Sequence, residues 1–350
     1  MNTHGGYYGK NAKMVDFSIN INPLGMPTRL RYDLIGIMDD LKKYPEITGE
    51  SHSYYLASQL NLDENQVILG NGAIELIYLF ARGLYQQGGK ALIVVPTFNE
   101  YERALKMNGW DSIEKWQLEA DKDFRLNPQD FVAAVREKAP QAVYICNPNN
   151  PTGMAYSCDY LRGIIEELDP NINWFIDESF IDFSAKESCL ELVQEGKYRV
   201  FLLRSMTKFF GIPGVRVGYG IGHPHIIQAM WRYKEPWTIN AFALKAVESL
   251  FQEVAFIKNS KKFMKEERHR VYLELSKLKG LKVFQSSADF HLCQLRTGAA
   301  EDLNSALNLR NINIRTCMDF SGLNENYFRI AIKRKEENNL LLYALKDILK

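Results

Sequence analysis

The sequence lacks the long apolar segment that a membrane-spanning helix needs. Its longest unbroken apolar runs are six residues each, Leu76 to Ala81 and Leu340 to Leu345, whereas a spanning helix takes about 20 residues. The N-terminal stretch from Met1 to Gly6 has no basic start followed by an apolar run, so it does not have the pattern of a secretory signal. We therefore expect a protein that does not enter membranes.

Cysteine is sparse, and its spacing matches no metal or disulfide motif. The five cysteines are Cys146, Cys158, Cys189, Cys293 and Cys317. An odd, scattered set without a Cys-x-x-Cys pair predicts reduced thiols in a cytoplasmic protein. His223 and His225 form the closest histidine pair, but no cysteine or carboxylate cluster lies beside them, so we expect a surface loop and no metal site.

An excess of charge of one sign is also missing. The chain has 43 Lys and Arg against 42 Asp and Glu, a net charge of +1. A nucleic-acid-binding protein normally has a basic excess, so we expect no nucleic acid partner. Apolar residues make up 46% and charged residues 24%, as in ordinary globular proteins. At roughly 150 residues per domain, the length predicts about two domains and a chemistry of small molecules.

The middle of the chain alternates short apolar runs with segments of helical length. The runs are Val67 to Leu69, Ala91 to Val95, Ala142 to Cys146, Trp174 to Ile176 and Val200 to Leu203. Such runs predict a mostly parallel sheet that is covered on both faces. We assign residues 45–240 to a large α/β domain and 1–44 to an N-terminal arm that contributes to the small domain and the active site.

The last part of the chain, residues 241–350, predicts a smaller α+β domain. A charged helical stretch from Phe256 to Leu278 precedes short strands near Leu281 to Phe284 and Phe290 to Leu295. A further strand from Tyr327 to Ile332 and a closing helix follow.

Polar turns follow five of the predicted strands directly. They are Gly70 to Gly72, Pro96 to Phe98, Asn147 to Gly153, Asp177 with Glu178, and Ser205 to Lys208. Because ligands of open parallel sheets bind at the carboxyl ends of the strands, five such turns predict one pocket.

Two residues of these turns have a simple structural interpretation and a chemical one. A lone lysine after a buried strand is usually a surface charge, but Lys208 comes with Ser205, Thr207 and Arg216. Such a set suits a phosphorylated aldehyde, because a desolvated lysine near other cations has the lowered pKa that Schiff-base formation needs. Asp177 is either a helix cap or an anion that pairs with a pyridinium nitrogen.

In order and spacing, these segments resemble the fold-type I pyridoxal-phosphate enzymes of the aminotransferase superfamily, whose fold is like that of aspartate aminotransferase. The resemblance covers nearly the whole chain and implies a large parallel-sheet α/β domain with a smaller α+β domain. It implies that Lys208 carries pyridoxal 5'-phosphate covalently and that Asp177 pairs with its ring nitrogen. Asn150 would bind the ring 3-hydroxyl, and Phe98 would stack on the ring.

The resemblance also implies a phosphate site and a homodimer. Gly72 and Ala73 at the start of a helix, together with Ser205 and Arg216, would hold the cofactor phosphate. Tyr44 resembles the tyrosine that reaches the cofactor phosphate of the neighbouring subunit, although a turn aromatic before Pro45 is the simpler interpretation.

For the substrate, the resemblance points to the arm and the last domain. Arg329 stands where this superfamily places the arginine that takes the substrate carboxylate, and bidentate geometry favours arginine there; an outward-facing strand arginine is the alternative. His4, Asn20 and Arg315 are the other substrate candidates. The sequence leaves open which arginine binds carboxylate and which binds phosphate.

Two branches of the superfamily share these motifs. The segments closer to the cobalamin-pathway L-threonine O-3-phosphate decarboxylases are Thr3 to Gly6, Asp16 to Pro27, Asp177 to Phe183, Leu203 to Phe209, Glu235 to Ala241, Ile314 to Cys317 and Gly322 with Leu323. Phe180 stands where aminotransferases usually carry a tyrosine. The likeness implies decarboxylation of L-threonine O-3-phosphate to (R)-1-aminopropan-2-ol O-phosphate, with L-serine O-phosphate as a second substrate.

Two other functions compete with this one. A histidinol-phosphate aminotransferase that uses 2-oxoglutarate and glutamate is the first alternative. A cofactor-binding transcriptional regulator is the second, and it is disfavoured because we expect no DNA-binding module before the Gly- and Asn-rich arm.

Overall fold

The computed structural model describes residues 4–7 and 9–349. Thr3, with which one of the motifs above begins, and Met1 and Asn2 of the N-terminal stretch lie outside the described residues. The strands are β1 (Val15–Asp16), β2 (Val67–Asn71), β3 (Lys90–Val95), β4 (Ser112–Gln117), β5 (Ala142–Cys146), β6 (Asn173–Asp177), β7 (Val200–Ser205), β8 (Val217–Gly222), β9 (Leu281–Val283), β10 (Phe290–Leu295), β11 (Ile312–Asn313), β12 (Arg315–Thr316) and β13 (Tyr327–Ala331). The helices are α1 (Thr28–Gly36), α2 (Glu50–Leu60), α3 (Gly72–Gly83), α4 (Glu100–Met107), α5 (Pro128–Lys138), α6 (Cys158–Ile165), α7 (Leu190–Gln194), α8 (Met206–Phe209), α9 (Pro224–Trp231), α10 (Ala241–Leu250), α11 (Val254–Leu275), α12 (Ala300–Asn308) and α13 (Lys335–Ile348).

The large sheet has the strand order β2-β8-β7-β6-β5-β3-β4. Strands β3 to β7 pair in parallel, and β8 runs antiparallel to both β2 and β7. This arrangement confirms the predicted α/β fold with a mostly parallel sheet. The carboxyl ends of β5, β6 and β7 therefore meet at one edge, where the polar turns begin.

Side chains of the central strands alternate between two buried clusters. In β6, Phe175 packs against Phe80 of α3 and Phe201 of β7, with ring centroids 4.9 and 5.5 Å away. Its neighbours Trp174 and Ile176 belong to the cluster on the opposite face. Because both faces are covered, the strands are apolar throughout, as the continuous runs predicted.

Two strands of this sheet were not predicted from the sequence. In β4, at the edge of the sheet, every residue is at least partly exposed, and its sequence is mostly polar, with Ile113 and Trp116 as isolated apolar residues and no apolar run. In β8, three of six residues are glycine, and glycine is rare in strands. The close packing explains one of them, because a Cβ at Gly220 would lie 2.3 Å from the ring of Phe201.

A four-stranded antiparallel sheet with the order β12-β13-β10-β9 forms the core of the C-terminal part. The predicted strands at β10 and β13 are confirmed, and the long helix α11 begins and ends two and three residues before the predicted bounds. The domain limits at residues 44/45 and 240/241 stay predictions.

The N-terminal arm contacts both the C-terminal part of the chain and the turn after β7. Val15 and Asp16 pair in parallel with β11, and the Phe17 carbonyl accepts a hydrogen bond from the Ala331 N–H at 2.9 Å. Further along, the Asn22 N–H donates to the Lys208 carbonyl at 2.9 Å. The arm thus connects the small sheet to the turn that carries Lys208.

Among the described residues, none of the helices is both long enough and apolar enough to cross a bilayer.

Candidate active site

A pocket of about 640 Å³ opens at the carboxyl ends of β5, β6 and β7. Eight of the predicted site residues line it: His4, Ala73, Phe98, Asn150, Asp177, Ser205, Lys208 and Arg216. The polar turns therefore meet in one place, as the strand-end argument required.

Lys208 lies in the short helix α8, which follows β7 directly. Its Nζ is 4.9 Å from the centroid of the Phe180 ring. Burial lowers the pKa of Lys208 below its usual value, although the carboxylates of Asp177 and Asp289 oppose that effect. A lysine with a lowered pKa has the neutral amine that attacks a carbonyl carbon.

Asp177 ends β6 and is buried. One carboxylate oxygen, Oδ2, accepts a hydrogen bond from the Tyr101 hydroxyl at 2.6 Å, and Oδ1 accepts one from the Ser179 N–H at 2.7 Å. Burial and the Asp177 charge raise the pKa of Tyr101, so its hydroxyl stays protonated and donates. The carboxylate is thereby fixed in the pocket. The bond from the Ser179 N–H, two residues further along the chain, is one that a capping aspartate would also make.

The start of α3 faces the guanidinium of Arg216. Gly72 has a φ of 70°, and a Cβ there would lie 2.1 Å from Arg216 Nη2. Only glycine therefore leaves room for the guanidinium at the helix N-terminus. The hydroxyls of Ser205 and Thr207 lie 2.8 Å apart beside it. Together these groups form a donor set suited to a phosphate dianion.

Phe98 and Asn150 face the pocket from the loops after β3 and β5. The Phe98 ring is 5.9 Å from the ring of His4 and packs edge-on against Tyr101 at 5.8 Å. Asn150 Oδ1 accepts a hydrogen bond from Arg329 Nη1. Asn150 therefore touches both the pocket and the proposed substrate arginine.

A second cavity of about 240 Å³ borders on the same lysine. It is lined by the four substrate candidates His4, Asn20, Arg315 and Arg329. Arg329 is only 6% exposed, so the alternative of an outward-facing strand arginine is wrong. Its Nη2 donates to the Ser18 carbonyl at 2.8 Å, whereas its Nε and Asn20 Oδ1 are buried without a hydrogen-bond partner.

The other two candidates around this cavity are in ion pairs. Arg315 Nη2 lies 2.6 Å from Asp319 Oδ2, and its guanidinium lies 5.1 Å from the Phe320 ring centroid. His4 Nε2 lies 3.0 Å from Glu100 Oε1. Burial alone would raise the pKa of Glu100, but hydrogen bonds from Tyr78 and Arg103 hold it below its usual value.

A family model described as aminotransferase class I and II matches residues 12–345. The chain belongs to this family. It is 34% identical over 339 residues to a protein of Salmonella typhimurium named threonine-phosphate decarboxylase, which covers 96% of this chain and 92% of that protein. It is 28% identical over 344 residues to histidinol-phosphate aminotransferase of Methanocaldococcus jannaschii, which covers 98% and 91%.

A solved structure agrees with the family membership. The crystal structure of histidinol-phosphate aminotransferase from Clostridium acetobutylicum superposes with a TM-score of 0.87 at 32% identity, over 95% of this chain and 98% of that chain. The predicted fold-type I aminotransferase fold is thus confirmed.

The cofactor of this family is pyridoxal phosphate, and the residues of this aminotransferase-family chain fit it. The pocket combines a lysine whose pKa is lowered, a fixed carboxylate and the phosphate donors at the start of α3. Lys208, Asp177 and Arg216 face one cavity, as a ring with an aldehyde, a basic nitrogen and a phosphate requires.

Tyr44 is not among the residues that line either cavity of its own chain. Its side chain is 86% exposed, and its ring lies 5.5 Å from that of Trp237. The single chain therefore leaves its assigned contact with a neighbouring subunit as a prediction.

Three residues beside the site were missed in the sequence. Tyr101 and Glu100 follow the Pro96 to Phe98 turn in α4, where their spacing resembles an ordinary helix face. Asp289 lies just before β10 in a stretch without any motif. Only Tyr101 had a signal that could have been used, since it follows Phe98, the residue predicted to stack on the cofactor ring, by three positions.

Proposed function

We propose that the chain is a pyridoxal-phosphate-dependent decarboxylase of a phosphorylated hydroxy-amino acid, with L-threonine O-3-phosphate as substrate and (R)-1-aminopropan-2-ol O-phosphate as product. The proposal is supported by the apolar wall between Lys208 and Arg329. Phe180 and Phe290 pack edge-on at 5.1 Å, Lys208 Nζ faces the first ring and the Arg329 guanidinium lies 5.1 Å from the second. Because a carboxylate loses its charge when it leaves as carbon dioxide, apolar surroundings favour that step.

In the proposed reaction, Asp177 and Lys208 have different roles. Bound pyridoxal phosphate supplies a protonated ring that takes up the electron pair left when a bond at the α-carbon breaks. Asp177, fixed by Tyr101 and Ser179, would keep the ring nitrogen protonated. Lys208 would hold the cofactor until substrate arrives, and its Nζ would then deliver a proton to the α-carbon after carbon dioxide has left.

The cations around the second cavity suit a substrate with two anionic groups. Arg329 and Arg315 would share the carboxylate and the phosphate, with His4 as a further donor. L-Serine O-phosphate lacks only one methyl group, and such a difference is worth about 1–3 kcal/mol in an apolar pocket. We therefore expect it to be a weaker substrate rather than to be rejected.

A homodimer is part of the proposal. Large apolar side chains are exposed along the N-terminal region and at one later turn: Tyr32, Ile35, Met38, Leu41, Tyr44, Ile47, Tyr54 and Trp237. A grouped set of exposed apolar residues is typical of an interaction surface. Tyr44 would cross this interface to the cofactor phosphate of a second copy, and sedimentation velocity tests the dimer.

The proposed location is the cytoplasm. All five cysteines are free and buried, as expected for a reducing compartment.

The deciding experiment is an assay of the purified protein with pyridoxal phosphate and L-threonine O-phosphate, without any keto acid. We expect one carbon dioxide and one amine phosphate per substrate consumed. No carbon dioxide, together with conversion of histidinol phosphate that depends on 2-oxoglutarate, would overturn the proposal.

A histidinol-phosphate aminotransferase is the second candidate. The likeness to the solved Clostridium acetobutylicum structure favours it, and the same assay distinguishes the two because only the aminotransferase needs a keto acid.

A further inference from the structure

Asp289, the residue before β10, is a buried carboxylate that the proposed function does not use. Its side chain is 0% exposed, and neither Oδ1 nor Oδ2 has a hydrogen-bond partner. Its backbone carbonyl accepts a hydrogen bond from the Ile332 N–H at 2.7 Å, so the residue is held at the end of the small sheet. A buried carboxylate without hydrogen bonds is costly unless charges compensate it.

Four cations compensate the charge of Asp289. They are Lys208 in α8, Arg268 in α11, Arg329 in β13 and Lys333 just after β13. The two arginines direct their hydrogen bonds elsewhere, and Arg329 Nη2 donates to the Ser18 carbonyl. Arg268 Nη1 donates to the Phe183 and Ala288 carbonyls at 3.0 and 2.9 Å. The carboxylate therefore acts through its charge rather than through a fixed ion pair.

Other charged and titratable groups also face these cations. They are Asp177 near Lys208; Arg315, Cys317 and Asp319 near Arg329; and Asp16 and Glu337 near Lys333. His291, two residues further in β10, is neutral because burial lowers its pKa to about 4. Asp289 is thus an anion at the end of the small sheet whose charge acts on Arg329, and the Arg329 guanidinium lies 5.1 Å from the ring centroid of Phe290, the next residue.

We propose that Asp289 is the internal counter-ion of Arg329, and that an anion which binds Arg329 drives one proton from solvent onto the Asp289 carboxylate. Asp289 is a positioning residue here, since its effect on a ligand passes through Arg329. The proposal needs Arg329 to be an anion site, as in the proposed function, but it does not need decarboxylation.

The sign of the pH dependence follows from the charges. Burial raises the pKa of Asp289 to about 6, with Arg329 opposing the rise. At pH 7 the free protein therefore holds Asp289 ionised, and an added anion raises its pKa further by like-charge repulsion. Anion affinity is then independent of Asp289 below pH 6 and falls as the pH rises above it, by up to about tenfold per unit shift in pKa.

The test uses the protein loaded with pyridoxal phosphate, and sulfate as the probe, because sulfate keeps its charge across the range from about pH 5.5 to 8.5. Calorimetric titrations in two buffers with different ionisation enthalpies give both the affinity and the protons taken up. We expect the wild type to take up close to one proton near pH 7.5. Asp289→Asn should take up none and should bind sulfate up to about 100-fold more tightly than the wild type near pH 8, because uptake of nearly one proton at pH 7.5 requires a shift in the Asp289 pKa of more than about two units.

Two variants locate the effect. Glu267→Gln removes another buried carboxylate, which is hydrogen-bonded to Arg270 and Asn338, and it should behave as the wild type does. Arg329→Gln should lose the sulfate affinity. Unchanged sulfate binding in Arg329→Gln, equal proton uptake in wild type and Asp289→Asn, or weaker binding by Asp289→Asn would each overturn the proposal, since mere structural damage weakens binding.

If Asp289→Asn does not fold, the infrared difference spectrum of the wild type with and without sulfate decides. A new band of a protonated carboxyl group is expected, and its absence overturns the proposal. Proton uptake without carbon dioxide release from L-threonine O-phosphate would overturn only the proposed function.

Discussion

The two halves of the site differ in how their polar groups are satisfied. On the side of the large sheet, both oxygens of Asp177 accept hydrogen bonds, and the hydroxyls of Ser205 and Thr207 bond to each other. On the side of the small sheet, polar atoms of Asn20, Asp289 and Arg329 are buried without partners. In the first half these polar groups are hydrogen-bonded without any ligand. In the second half several buried polar atoms have no hydrogen bond.

This contrast matches the two classes of ligand. A cofactor that stays bound gains from groups already in place, because no reorganisation is needed at each turnover. A substrate that enters and leaves brings its own charges, and unpaired groups then discriminate strongly between substrates that satisfy them and those that do not. Substitutions in the two halves should therefore have separable effects on cofactor and substrate.

The largest effect is expected on the cofactor side, from Lys208→Ala. Turnover should fall by about 10⁴-fold, because proton transfer at the α-carbon loses its carrier. Borohydride treatment followed by mass spectrometry should fix the cofactor to the wild type and not to the variant. Lys186→Ala, at an exposed lysine, is the control, and a variant at 208 that still became labelled would contradict the assignment.

On the substrate side, Arg329→Lys should raise KM about 100-fold and leave cofactor affinity nearly unchanged. Lysine lacks the planar fork that serves Ser18, Asn150 and a substrate anion together, and removing a buried charge partner costs about 2–5 kcal/mol. Steady-state kinetics and cofactor titration measure the two quantities. If cofactor affinity weakened as much as KM rose, the two halves would not act separately on cofactor and substrate. Arg334→Lys, at an exposed arginine bonded to the Pro23 carbonyl, is the matched control.

A smaller effect is expected from Tyr101→Phe, which removes the hydrogen bond to Asp177 at 2.6 Å. A hydrogen bond to a charged group contributes about 1.5–3 kcal/mol, so kcat/KM should fall at least about tenfold. Tyr144→Phe is a close control, since the neighbouring Tyr144 hydroxyl is buried without a partner. Removal of the Tyr144 hydroxyl should leave activity intact. It should raise the midpoint temperature of unfolding, because a buried polar group without a hydrogen bond destabilises the folded state. A stable, fully active Tyr101→Phe protein would show that Asp177 needs no such support.

The smallest effect should come from Phe180→Tyr, at the border between the halves. The added hydroxyl places a polar group on the apolar wall, on a ring whose centroid lies 4.9 Å from Lys208 Nζ. Decarboxylation should slow by about fivefold, the worth of one ordinary hydrogen bond, while the fraction of turnovers that yield a keto acid rises. Product analysis by mass spectrometry measures both, and an unchanged product ratio would remove the role assigned to this position.

The cofactor half could be predicted from the sequence because its residues lie within local motifs. Each motif follows a strand that is buried on both faces and is therefore a continuous apolar run, as in β5 and β6. Strand β8 could not be predicted, because three of its six residues are glycine, and Gly220 is required by a contact with Phe201 across the sheet. Such contacts leave no trace in the local pattern.

The substrate half could be predicted only where the family resemblance reached. Arg329 was found through that resemblance, although strand periodicity alone left its direction open. Asp289 was missed because its importance comes from four cations that are brought together by α8, α11 and the end of β13. These cations are far from Asp289 or from one another in the sequence, so no sequence motif predicts that they lie close together.

The N-terminal arm has a mechanical consequence. At one end β1 pairs with β11, and the Phe17 carbonyl accepts a hydrogen bond from Ala331 of the small sheet. At the other end the Asn22 N–H donates to the Lys208 carbonyl. Any rotation of the small sheet against the large one must either pull on the lysine turn or break the hydrogen bonds that Asn22 makes to it. The arm therefore links the turn that carries Lys208 to the sheet that carries Arg329. The two side chains move together unless the hydrogen bonds from the Asn22 N–H to the Lys208 carbonyl and from Asn22 Nδ2 to the Phe209 carbonyl are broken.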